Sequence, residues 1–90
     1  MTLRYARRAL HDLETIHTYI SKHNPEAAWV VASFIRRSVH NLAQWPYSGR
    51  ATEEDNVRRL VVTNYPYVVY YFVKRNDVVI LSVRHTAQDR

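Results

Sequence analysis

The sequence predicts an α+β fold in which a short N-terminal strand and an αα-hairpin pack on one face of a small, mainly antiparallel sheet, in the order β-α-α-β-β-β. Apolar residues recur at helical spacing through the first half of the chain. The last third instead holds three runs rich in β-branched and aromatic residues, VRRLVV, YVVYYFVK and DVVILSVRH, which short turns separate. Because 90 residues can bury one modest core but not two, we expect a single domain over residues 1–90.

The element boundaries follow from where the spacing of apolar residues changes. A first strand over residues 2–5 gives way to a helical period that begins at Ala6 and stops near His23. A tight hairpin at residues 74–77 separates the last two strands. The strands after the helices are predicted over residues 57–62, 67–74 and 78–85.

The second helix has clear start and stop signals. Asn24 can cap free backbone N–H groups, and Pro25 tolerates the first helical position, so a helix should begin there. It should run to about Trp45, because Pro46 cannot continue it. The only glycine, Gly49, follows, and it predicts a backbone bend that other residues would make less readily.

The strand over residues 67–74 is apolar on both faces. Tyr67, Val69, Tyr71 and Val73 alternate with Val68, Tyr70 and Phe72, as in a strand covered on both sides. One helical pair can cover only one of these faces. The other face should therefore be partly exposed, with tyrosine hydroxyls facing water, or be covered by another molecule.

Composition excludes several classes of protein and leaves the nature of the partner open. The formal net charge is +5, and all basic side chains except Lys22 and Lys74 are arginines, which favours an acidic protein or nucleic acid partner or simply a charged surface. The chain has no cysteine, no signal-peptide pattern, and no apolar run long enough to cross a bilayer. These features predict a cytoplasmic protein that does not bind membranes.

The residues leave one enzymatic alternative open. His11, His17 and His23 are spaced so that they scatter around a helix, so no metal site and no cofactor are expected. A metal-free ribonuclease needs a proton donor or acceptor and cations for the phosphate. His85 could supply the first. The cations could come from Arg50, from Arg58 or Arg59, and from Arg84. Regular strand alternation instead points Arg84 and His85 to opposite faces. It places His85 in phase with Val79, Leu81 and Val83, where it would be structural.

In order and spacing, these segments resemble the RelE/ParE superfamily of toxins from bacterial type II toxin–antitoxin modules, over nearly the whole chain. ARRALHDLETIHTYISKHNPEAA is similar to the family's first helix and Asn-Pro joint, and LAQWPYSGR to its Leu-x-x-x-Pro-x-x-Gly-Arg exit from the second helix. The Arg-bearing strand VRRLVV, the aromatic strand YVVYYFV and the terminal DVVILSVRHTAQDR follow in the usual order. The loop before the strand over residues 57–62 holds the acidic residues Glu53, Glu54 and Asp55, and Thr86 follows His85. By resemblance, both features place the chain closer to the ParE branch than to the RelE branch.

The resemblance implies a toxin that inhibits DNA gyrase and is neutralised by a cognate antitoxin. On this reading the target-binding candidates are Arg50, Arg58, Arg59 and Arg84. The antitoxin-binding candidates are Leu13, Ile16, Ile20, Trp29, Tyr70 and Phe72. Two alternatives remain open: a RelE-type, ribosome-associated mRNA endoribonuclease that uses Arg59, Arg84 and His85, and a non-toxic member that only binds its antitoxin. Direct contact with nucleic acid would be secondary.

Overall fold

A computed structural model describes residues 1–89 of the chain. The elements are β1 (Thr2–Tyr5), α1 (Arg7–Ser21), α2 (Pro25–Gln44), β2 (Arg50–Ala51), β3 (Val57–Val61), β4 (Tyr67–Lys74), β5 (Asp77–His85) and a 3-10 turn (Thr86–Gln88). The predicted α+β class and the predicted order of elements are confirmed. The two-residue strand β2 is an addition, formed where the sequence predicted only a connection.

The strands form one five-stranded sheet in the order β1-β5-β4-β3-β2. β1 runs parallel to β5, and the other neighbours are antiparallel. The buried core joins α1 and α2 to one side of this sheet, which we call the helix face. The other side, which carries Arg59, Tyr70, Phe72 and Arg84, is called the open face. A single hairpin of helices thus covers one face only, as predicted.

Residue alternation in β4 agrees with the prediction. Tyr67, Val69 and Tyr71 are buried in the core on the helix face, whereas Tyr70 and Phe72 are half-exposed on the open face. Val68 also lies on the open face but has no exposed surface. The chain itself therefore covers part of the face that was expected to be exposed or covered by another molecule.

Strand β5 does not alternate regularly, and this changes which residues enter the core. Tyr70 lies opposite Ser82, but its neighbour Tyr71 lies opposite Ile80, so Leu81 is an extra residue in a β-bulge. Val78, Ile80 and Val83 are consequently the buried residues of β5 on the helix face. The prediction that Val79 and Leu81 share a face with Val83 was wrong, because a bulge reverses the phase of every residue after it.

The predicted start of α2 is confirmed in detail. The Asn24 side chain accepts a hydrogen bond of 3.0 Å from the Ala27 N–H, and Pro25 is the first helical residue. The helix ends at Gln44, just before Trp45 and Pro46. Within residues 1–89, neither helix is both long and apolar enough to span a membrane.

Candidate functional surfaces

Three side chains from three neighbouring strands converge on the open face. Arg59 of β3 lies directly opposite Tyr70 of β4, and Arg84 of β5 lies opposite Val68, two residues before Tyr70 on the same face of β4. The Arg84 guanidinium lies 5.0 Å from the centre of the Tyr70 ring, within the range of a cation–π contact. We call Arg59, Tyr70 and Arg84 the arginine site.

The Asp89 carboxylate occupies the arginine site. Arg59 Nε donates to Oδ2 at 2.9 Å, Nη2 of the same guanidinium lies 2.9 Å from Oδ2 in an ion pair, and the Tyr70 hydroxyl donates to Oδ1. Arg84 Nη1 lies 4.0 Å from Oδ1. Only 7% of the Asp89 side chain is exposed, compared with 34% for Arg59 and 44% for Arg84. The carboxylate is thus largely withdrawn from water and depends on these partners for its charge.

These contacts shift the pKa values of Asp89, Tyr70 and Arg59. The hydrogen bond from Tyr70, followed by those from Arg59, lowers the pKa of Asp89 against the opposing effect of burial. Burial and the bond to the carboxylate raise the pKa of Tyr70, so the phenol keeps its proton. The bond to Asp89 also raises the pKa of Arg59. All three groups therefore hold the charge states that this contact requires.

His85 turns the chain so that Asp89 reaches the open face. Its Nδ1 accepts a hydrogen bond of 3.0 Å from the Ala87 N–H, which caps the 3-10 turn. The Thr86 N–H donates to the Pro66 carbonyl at 2.8 Å. The His85 ring itself lies on the helix face, edge-on to Tyr67 at 5.2 Å between ring centres.

The candidate ribonuclease residues are therefore not brought together. Arg59 and Arg84 share the open face, whereas His85 lies on the helix face beside residues of α1 such as Asp12 and Ile16. The sheet separates the imidazole from the two guanidinium groups. Tyr70 and Asp89 are their actual neighbours. Regular alternation indicated that Arg84 and His85 diverge, but nothing in the sequence indicated that Asp89 would join the arginines.

The two remaining target-binding candidates differ in their surroundings. Arg58 Nη1 donates to the Gly49 carbonyl at 2.7 Å and lies over the Tyr47 ring at 5.0 Å. Arg58 thus holds the loop that follows α2. Arg50 is exposed at the edge of the sheet, where β2 pairs with β3.

The candidate antitoxin contacts fall into three groups. Leu13, Ile16 and Ile20 are half-buried on α1 and pack against the core. Trp29 is 65% exposed on α2 and packs edge-on against His17, with 4.7 Å between ring centres. Tyr70 and Phe72 lie on the open face. The candidates therefore do not form one continuous surface.

Exposed apolar side chains that the candidate set omits extend the helical surface. Tyr19 of α1 is 68% exposed and Val30 of α2 is 44% exposed. A groove of about 390 Å³ lies between α1 and the last part of β5, with Ile16 and Tyr19 on one side and Val83 on the other. β1 pairs with β5 only as far as Ile80, so among residues 1–89 this part of the β5 edge has no strand partner. The Asp12 carboxylate accepts the Val83 N–H there at 3.0 Å.

Side chains able to hold a metal ion do not gather in the described part of the chain. No group of three or more His, Cys, Asp or Glu residues with suitable placement occurs within residues 1–89.

Comparison with known proteins identifies the class. The fold matches a chain from the "Chromosomal ParDE TA system from P. aeruginosa" with a TM-score of 0.84 and 27% identity, covering 94% of this chain and 95% of the other. It also matches a chain of the intact E. coli RelBE toxin–antitoxin complex, with a TM-score of 0.70 and 14% identity over 93% of this chain and 94% of that chain, which shows a shared fold. The molecule is a type II toxin with the RelE/ParE fold.

Sequence comparison gives the family. The model for the ParE toxin of the type II toxin–antitoxin system parDE matches residues 3–90, and the chain belongs to this family. It is 41% identical over 86 residues to Y4kP of Sinorhizobium fredii, covering 96% of this chain and 88% of that protein. Toxin RelE2 of Caulobacter vibrioides is 38% identical over 81 residues, which are 90% of each chain. The resemblance to the superfamily, and to its ParE branch, is confirmed.

Proposed function

We propose that this ParE-family toxin inhibits DNA gyrase by binding it, without chemistry of its own, and that a cognate antitoxin neutralises it. The observation that carries the proposal is the separation of His85 from Arg59 and Arg84 by the sheet. General acid–base catalysis requires the proton-transferring group within hydrogen-bond reach of the reacting atoms that the cations hold. A gyrase target implies that the protein acts in the cytoplasm.

Charges around the arginine site also favour binding over phosphate chemistry. Asp89 already neutralises part of the charge of Arg59 and Arg84. Glu54, from the acidic loop before β3, lines the same hollow as Tyr70 and Arg84. Two carboxylates beside these arginines oppose the approach of an RNA backbone.

We further propose that the antitoxin binds the outer surface of the helical hairpin and the groove beside β5. Trp29, Tyr19 and Val30 supply large exposed apolar side chains, and Trp and Tyr are the residues on which interfaces most often depend. An extended segment could then follow the groove along the edge of β5, which lacks a strand neighbour after Ile80. The net charge of +5 favours an acidic partner.

The gyrase proposal is tested by a supercoiling assay with purified protein, relaxed plasmid and ATP. We expect loss of supercoiling with accumulation of cleaved DNA, and recovery when antitoxin is added. Unaffected gyrase, in the presence of protein shown to be folded by circular dichroism, would contradict the proposal. Ribosome-dependent mRNA cleavage would then become the leading alternative, because Arg59 and Arg84 still converge on one anionic group.

A further inference from the structure

The contact between Asp89 and the arginine site has the form of a ligand in a binding site. We infer that Arg59, Tyr70 and Arg84 bind a carboxylate side chain of an acidic protein partner, and that Asp89 is an internal ligand that the partner displaces. Two arginine nitrogens and a phenol hydroxyl already converge on the carboxylate. Bonds from ionised donors to a carboxylate are among the stronger hydrogen bonds in proteins.

The fold holds the arginine site more firmly than it holds Asp89. Arg59, Tyr70 and Arg84 extend from paired residues of β3, β4 and β5, so their backbones are fixed by the sheet. The 3-10 turn that carries Asp89 contains no buried residue. Its backbone bonds are those of the Thr86 and Ala87 N–H groups described above and one of 3.2 Å from the Asp89 N–H to the Thr86 carbonyl. Asp89 can therefore leave the site with little loss of core packing, while the arginines stay in place.

The surroundings favour an acidic peptide over a nucleic acid. Arg84 covers one face of the Tyr70 ring, which limits stacking of a base on it. A hollow of about 320 Å³ adjoins Tyr70 and Arg84 and is lined partly by Val57 and Leu81. Glu54 lies at its side without an ion-pair partner among residues 1–89, whereas Arg8 there is paired with Asp12. The phosphates of a nucleic acid backbone would come close to Glu54 and be repelled by it. A single carboxylate followed by apolar residues would reach the arginines without approaching Glu54. The resident group is itself the carboxylate of a peptide.

Competition between Asp89 and an external carboxylate determines how much the affinity for the external carboxylate should rise when Asp89 is replaced. A tethered carboxylate competes with an external one at an effective concentration on the order of millimolar. The apparent affinity of an external ligand falls in proportion to the fraction of molecules in which the site is open. If the internal ligand is removed, an external carboxylate should bind about tenfold more tightly, provided that the site is closed in about nine molecules of ten.

The test is an NMR titration of the full chain with the peptide Ac-Ala-Gln-Asp-NH2, which copies the residues that now occupy the site. Asp89→Asn removes the internal charge and keeps the side-chain shape, and Gln88→Ala, at an exposed neighbouring position, is the matched control. We expect half-saturation of Asp89→Asn at about one-tenth of the concentration needed by the wild type or by Gln88→Ala. The signals that shift should include the Arg59 Nε–H.

Four results would overturn the inference. Asp89→Asn could bind the peptide no more tightly than the wild type, or the control peptide Ac-Ala-Gln-Asn-NH2 could bind equally well. The double variant Asp89→Asn with Arg59→Gln could also retain the binding that Asp89→Asn gained. Tighter binding of a uridine trinucleotide than of the aspartate peptide would overturn the assignment to an acidic protein. Amide spectra report whether each variant is folded, and none of these results depends on gyrase.

Discussion

Arg84 and His85 are consecutive residues of β5, yet Arg84 lies over Tyr70 on the open face and His85 packs against Tyr67 on the helix face. Side chains of neighbouring strand residues point to opposite faces, so no movement of the side chains alone would bring these two together. The open face therefore offers cations without an imidazole. The imidazole of His85 lies on the helix face, where it caps the 3-10 turn after β5.

Replacement of His85 should separate a positioning role from a catalytic one. His85→Ala removes the acceptor of the Ala87 N–H, whereas His85→Asn keeps a side-chain acceptor suited to capping. We expect both variants to inhibit gyrase within about twofold of the wild type. His85→Ala, but not His85→Asn, should bind the aspartate peptide more tightly, because the 3-10 turn is no longer fixed. Loss of toxicity in both variants, with the fold retained, would indicate catalysis instead.

The stability contributed by Asp89 should depend on pH. Its pKa lies below the ordinary value of 3.8 in the folded protein, so protons bind more readily to the unfolded chain. The stabilisation is then fully present above about pH 5 and is lost as the pH falls through the folded-state pKa. Urea unfolding of the wild type and Asp89→Asn should show a difference that narrows steadily below about pH 4. A difference that stays constant with pH would show that the charge does not cause it.

Gly49 lies at a bend, as predicted, but its φ is not positive, so the prediction that other residues would make this bend less readily was wrong. Gly49 should resist substitution because of space instead. A Cβ atom at this position would lie 2.6 Å from the Tyr71 hydroxyl and 2.9 Å from the Arg59 carbonyl. We expect Gly49→Ala to lower the free energy of unfolding by about 1–3 kcal/mol, the usual cost of overpacking. Gln44→Ala, at an exposed position at the end of α2, is the control in the same urea titration and should change little. Equal stability of the two variants would contradict this account.

The Tyr71 hydroxyl should contribute to stability through two hydrogen bonds. It accepts from the Gly49 N–H and donates to the Pro46 carbonyl, each at 2.9 Å, and Tyr71 has no exposed surface. Tyr71→Phe should cost about 1–3 kcal/mol, because a buried N–H loses its partner. Urea unfolding measures this cost, with Tyr47→Phe as the exposed control. A loss confined to the control would show that the loop does not depend on Tyr71.

Arg58 and Arg50 provide a matched pair for separating structural from target-binding roles. Arg58→Ala should lower the free energy of unfolding by about 1 kcal/mol, since it removes the bond to the Gly49 carbonyl from a half-exposed site. Arg50→Ala should leave stability within about 0.5 kcal/mol. If Arg50 contacts gyrase, Arg50→Ala should still weaken inhibition in the supercoiling assay. Unchanged inhibition by a folded Arg50→Ala protein would remove Arg50 from the target-binding candidates.

Trp29 should matter to the antitoxin more than an equally exposed tryptophan elsewhere. Trp29 is 65% exposed on the hairpin surface, and Trp45 is 63% exposed just beyond the end of α2. Trp29→Ala should weaken antitoxin binding by at least about tenfold, as expected for a buried interface aromatic. Trp45→Ala should change it by less than about threefold. Calorimetric titration measures both, and equal effects would exclude a specific role for the hairpin surface.

Elements whose signals are local could be predicted from the order of residues alone. Asn24 and Pro25 start α2 because capping and the fixed φ of proline act within one helical turn. The alternation in β4 predicted its two faces, because each residue reverses direction with respect to the last. The same alternation indicated that Arg84 and His85 diverge. Family membership followed from the order of these elements along the chain.

Features that depend on residues distant in sequence became visible only in the folded protein. The bulge at Leu81 exists through the pairing of β5 with β4, so the sequence of β5 alone gave the wrong phase for Val79. Gly49 is required by the approach of Tyr71, which lies 22 residues away. Asp89 contacts Arg59, 30 residues away in sequence, because the 3-10 turn after β5 brings Asp89 onto the open face. The spacing of residue types along the chain reflects local backbone geometry only. These contacts form only when the sheet brings strands that are distant in sequence together.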